Sequence, residues 1–230
     1  MALGINYSTS DPLDLVPVVK YDARAGRFAR VDRVQVAGQW QADVADISQN
    51  FSALLDLENI EVGWMNFNTG GAPDFRMVPV GSDPGPCPGK KYKHGFRVML
   101  KLGSAAAGDK AAIREWCSVA KVSIGAMDAL HDAYKARGDG KLPSVKLAGV
   151  KAVTTGSGQT KSTNYAPTLE VVGWHDRPAD LVFKPKSKPA SNGTAQRQAP
   201  PATGSTAAPP PSQSYGQAQR EAPGANGDFG

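Results

Sequence analysis

The sequence predicts a mainly β domain with one long helix, followed by a tail that does not fold. Three observations carry this. Ile113, Trp116, Ala120, Ile124, Met127, Leu130 and Tyr134 recur at steps of three and four, the period of one buried helix face, which predicts a helix over 109–137. On either side the pattern changes to alternation, the mark of strands. From Lys184 onward 47 residues contain eight prolines and only two aromatics, Tyr215 and Phe229. Such a composition cannot bury enough apolar surface to offset chain entropy. The expected division is a domain over 1–183 and a disordered Pro/Gly/Gln-rich tail over 184–230.

Residues 1–14 are polar and read as a lead-in. Leu15 to Tyr21 and Phe28 to Val36 read as two strands joined by a turn whose Gly26 permits positive φ. Arg24, Arg27, Arg30 and Arg33 fall in or just after that turn, and a spacing of three cannot place them on one face of a strand. The hairpin is then either simply solvated or a phosphate contact. Trp40 to Asn50 is ambiguous, a strand end followed by a helical turn through Phe51 to Leu57. Ile60 to Phe67 is a clearer strand, with Ile60, Val62 and Trp64 on one face and Glu61, Met65 and Phe67 on the other. Gly70 to Lys93 is a long proline-rich connection, interrupted by Phe75 to Val80.

Gly85 to Lys91 only superficially resembles a phosphate-binding loop. Three residues, not four, separate its glycines, Lys91 stands where Ser or Thr is required, and a strand follows in place of a helix. That strand, Gly95 to Gly103, has Phe96, Val98, Leu100 and Leu102 as its buried row and Arg97, Met99 and Lys101 as the opposite, solvent-facing row. It is entered through Lys90, Lys91, Tyr92, Lys93 and His94. In the helix, Asp109 is placed to accept N-terminal N–H groups, and Gly138 to Gly140 ends it. Ser144 to Val153 and Pro167 to Trp174 are the last strands, with a bulge expected at Gly149. Between them Thr154 to Ala166 reads as a long loop carrying Lys161 and Tyr165. Leu181 to Phe183 is the last anchored segment.

Bulk charge narrows the function only a little. The net charge is +5; Lys184, Lys186, Lys188, Arg197 and Arg220 against Glu221 and Asp228 give the tail +3 and leave +2 for the rest. A polyanion site must therefore come from local clustering. Cys87 and Cys117 offer no disulfide framework, which favours a reduced, cytoplasmic setting. No apolar run approaches the ~20 residues of a membrane span. His94, His131 and His175 are isolated, neither cysteine has zinc-site spacing, and no nucleophile elbow or dinucleotide signature is present. No enzyme and no cofactor is expected.

Strand pair, strand, strand, helix, strand, strand is the order of the OB-fold, a five-stranded Greek-key barrel with its helix between strands 3 and 4, whose loops and one face bind oligonucleotides. A barrel of this kind followed by a Pro/Gly/Gln/Ser tail ending Asp228-Phe229-Gly230 resembles single-stranded-DNA-binding proteins, particularly those encoded by phages. The resemblance implies that the core holds the strand, in the host cytoplasm, during replication, recombination or repair. It implies also that the tail tip, Asp228 and Phe229, recruits replication or recombination proteins. That tip departs from the densely acidic pattern of the family, and a net positive tail would instead add affinity for DNA. Self-association is left open. Bases stack on aromatic faces without regard to sequence, and lysine and arginine neutralise phosphates. The stacking candidates are Phe67, Tyr92 and Tyr165. The phosphate candidates are Arg24, Arg27, Lys90, Lys91, Lys93, Arg97, Lys101, Lys146 and Lys161. The rival reading is a structural or assembly protein of a virus particle.

Overall fold

The computed structural model describes residues 16–67, 73–155 and 157–183. It is mainly β, a curled half-barrel sheet with two helices. The strands are β1 (Val18–Asp22), β2 (Arg27–Val36), β3 (Gln39–Asp46), β4 (Ser52–Leu55), β5 (Glu61–Asn66), β6 (Asp74–Pro79), β7 (Lys93–Leu102), β8 (Ile113–Ser118), β9 (Leu142–Thr155) and β10 (Ser162–His175). A single turn, α1 (Ser104–Ala107), precedes β8, and the long helix α2 (Lys121–Arg137) follows it. Eight strands lie in the order β10-β9-β4-β7-β8-β1-β2-β3, and the β5–β6 pair branches from β7. All neighbours are antiparallel except β1 and β8.

The sheet curls because its inner face has one large apolar cluster to enclose. Phe28 stacks on Phe51 with ring centres 3.8 Å apart, and Trp116 sets its edge against Phe28 and Phe96. Leu55, Val98, Leu100 and Val145 complete that interior, with Met127 and Leu130 of α2 packed into it. The curl brings β10 to the β1–β2 turn, where Tyr165 N–H donates to the Ala23 carbonyl at 2.6 Å and Tyr21 Oη donates to the Tyr165 carbonyl at 2.9 Å. Gly26 has φ 68° there, and a Cβ on it would stand 3.0 Å from Tyr165 Cβ.

The predicted helix over 109–137 is a strand plus a shorter helix. β8 occupies 113–118, and α2 starts at Lys121 with Ala120 as its cap, so Asp109 caps nothing in it. Two charges hide the alternation: Arg114 pairs with Asp32 at 2.6 Å and Glu115 with Arg97 at 2.7 Å, and all four side chains are buried. The helix ends as expected at Gly138, φ 70°, after Lys135 and Arg137. Phe51 to Leu57 is not helical; it holds β4. The expected loop Thr154 to Ala166 is mostly ladder, since β9 runs to Thr155 and β10 starts at Ser162. Thr154 and Thr163 join their hydroxyls across it at 3.0 Å. A register shift falls between Leu147 and Gly149, beside the expected bulge.

Beyond β10 the chain crosses the outer face of the sheet. Arg177 holds Asp56 with both guanidinium nitrogens and Glu58 at 2.8 Å, and Lys101 Nζ holds Asp180 at 2.7 Å. Leu181 is buried with Met99 and Leu142, and the Phe183 ring lies 5.5 Å from the Arg97 guanidinium. This strap decides what the outer face can do.

Candidate functional site

Register separates the two faces. On the outer face, β7 contributes Lys93, Arg97, Met99 and Lys101, and β5 contributes Glu61 and Met65, because Glu61 stands opposite Arg97 and Met65 opposite Lys93. The expectation of a wet row on β7 fails at Arg97, which is 1% exposed. Arg97 donates to Glu61 at 2.6 Å and Glu115 at 2.7 Å beneath Phe183, so its charge is spent inside the protein. Lys101 is half-buried and bound by both oxygens of Asp180, which its Nζ holds below the usual carboxylate range. The strap seals Arg97, while Lys101, on the wall of an open groove with Ser52, Leu54 and Ser144, has its charge taken by Asp180. Both residues are removed from the phosphate set.

Lys146 is exposed and pairs with Glu170 at 3.2 Å, and Arg27 is exposed and pairs with Asp46 at 3.1 Å. Pairs as wet as these are weak, about 0–1 kcal/mol, and open readily to a phosphate. They are secondary positions. Tyr92 is also committed: its hydroxyl donates to the Asp74 carboxylate, which lowers the carboxyl's pKa and raises the phenol's. Tyr165 is half-buried against Gly26, where it pins β10 to the turn that carries Arg24. Lys161 is exposed at the tip between β9 and β10. Asp228 and Phe229 lie outside the described residues.

What remains together is the margin of the sheet where β5, β6 and β7 meet. Phe75 stands opposite Met65, and Met65 opposite Lys93, so three adjacent strands put these residues on the outer face in one row. Phe67, two positions beyond Met65, returns to that face; it is 45% exposed and sets its ring edge against Phe75 at 5.5 Å. Lys90, Lys91 and Lys93 enter this margin exposed, with no ion pair among the described residues. The exposed Phe67, backed by the half-buried Phe75 and beside three ammonium groups with no ion pair among the described residues, can stack a base and hold its phosphates. The wall of β1 and β2 adds Lys20 and Arg33, both exposed on the same face without an ion pair among the described residues. The sequence singled out Arg33 with the turn arginines but not Lys20, and only the pairing of β1 and β2 puts the two on that face.

Among the described residues no group of three His, Cys, Asp or Glu is placed to hold a metal ion, and no helix is long and apolar enough to cross a membrane. No protein-family model, no curated protein and no solved structure matches the chain.

Proposed function

We propose that this chain binds single-stranded DNA without regard to sequence, in support of phage DNA replication, recombination or repair. The observation that carries the reading is the margin of β5, β6 and β7, where the half-exposed Phe67 leans on Phe75 beside Lys93, with Lys90 and Lys91 leading in. Each base stacked on such a platform contributes ~1–3 kcal/mol, and each lysine neutralises one phosphate and releases its counterions. Arg24, Lys161 and Tyr165 extend the path along the β1–β2 turn and the β9–β10 tip. In this reading β4, β7, β8, β9 and β10 are the five strands of an OB-like barrel, α2 lies between the third and fourth, and the remaining strands are additions to it. The residues act as binders, not as catalysts. Recruitment of replication or recombination proteins by Asp228 and Phe229 belongs to the same reading.

The test is fluorescence anisotropy of labelled oligo-dT and of a duplex of equal length. Oligo-dT is expected to bind tightly, with affinity falling steeply as salt rises, and the duplex much more weakly. Undetectable oligo-dT binding at low salt would put the structural or virion-assembly reading in front.

A further inference from the structure

We propose that the free edge of β3 pairs with the β3 of a second copy of this chain, continuing the sheet across a two-fold axis at Ala42. Among the described residues β3 ends the sheet order and pairs only with β2, so the other edge of its eight residues has no strand partner there. Proteins blunt such edges with lysine, proline or a covering segment. The β6 edge does so, with Arg76 and a terminal Pro79. In contrast, Gln39–Asp46 contains no Lys, Arg or Pro and displays Trp40 at 53% and Val44 at 61% exposure.

The identity of the occupant comes from the register. Trp40, Ala42 and Val44 share one face, opposite Gln35, Arg33 and Val31 of β2. An antiparallel copy centred on Ala42 sets each Trp40 against the partner's Val44, an aromatic and β-branched pair of the kind that stabilises sheets. On the other face Asp43 meets the partner's Gln41, and on the Trp40 face Asp46 meets the partner's Gly38, so no like charges are opposed. Centring the axis one residue later would put Asp43 beside the partner's Asp43, and one residue earlier would set Trp40 against Ala42. The strand is thus self-complementary in one register, which a two-fold contact requires. An edge of this length is a small interface, below the ~1,200 Å² of standard ones, so association is expected in the micromolar range.

The experiment uses the full chain without nucleic acid, so its outcome is independent of the DNA-binding reading. Sedimentation at tens of micromolar should give twice the 24.1 kDa chain mass, and Val44→Lys should give the chain mass alone with an unchanged circular dichroism spectrum. In a Cys87→Ser background, Ala42→Cys should oxidise to a disulfide-linked dimer, because paired Cα atoms across antiparallel strands stand ~4.5–5.5 Å apart, within disulfide reach. Gln35→Cys, one strand inward, should not. A monomer at these concentrations, or cross-linking no faster at Ala42→Cys than at Gln35→Cys, would overturn the proposal; the cross-link decides it even where Val44→Lys fails to fold.

Discussion

Arg97 sits between Glu61 and Glu115 with almost no solvent to screen the three charges. Removing it leaves two buried carboxylates uncompensated, a loss of ~3–5 kcal/mol. Arg97→Ala is therefore expected to lower the denaturant midpoint sharply. Lys101→Ala breaks an exposed pair with Asp180 and should cost no more than ~1 kcal/mol. It should also leave the salt dependence of DNA binding unchanged, and a flatter slope would return Lys101 to the site. Tyr21 gives a pH signature: burial pushes its phenol up to about 12 from an ordinary value of 10.0. The neutral form is favoured by folding, so this stability is complete below pH 10 and is lost as pH rises towards about 12. Tyr21→Phe should remove that alkaline loss and should cost ~1 kcal/mol at neutral pH through the missing bond to Tyr165. Chemical denaturation at pH 8 and above checks both.

At the scale of elements, the alternation of β5 and the apolar inner row of β7 were legible. So were the close of α2 at Gly138 and the basic entry Lys90 to Lys93, because each signal lies within a few adjacent residues. β8 was not legible, since the partners that bury Arg114 and Glu115, Asp32 and Arg97, lie 82 and 18 residues away. The fate of Arg97 and Lys101 was hidden for the same reason: Asp180 and Phe183 reach them from the far end of the domain. The strap is accordingly a structural element. A chain ending at Phe183 keeps the strap contacts of Arg177, Asp180, Leu181 and Phe183 and should melt within a few degrees of the full chain. One ending at His175 strands the buried Asp56 without Arg177 and uncovers Met99 and Leu142. At ~2–4 °C per kcal/mol, its melting temperature should fall by roughly 10 °C or more. Equal melting of the two truncations would contradict the strap's role.

For the whole molecule, +2 on the residues before Lys184 supplies no general attraction for a polyanion, so affinity must come from where unpaired cations collect. Many cations of the sheet are neutralised by carboxylates, whereas Lys90, Lys91 and Lys93 have no ion pair among the described residues, and the exposed Phe67 lies at the same margin. The most direct measurement is the slope of log affinity for oligo-dT against log salt, for the natural chain and for Lys90→Ala/Lys91→Ala/Lys93→Ala. At ~0.7 per single-strand phosphate, the triple variant should bind more weakly with a slope smaller by about 2. A slope unchanged by the three substitutions, in a variant that remains folded, would contradict this placement of the strand.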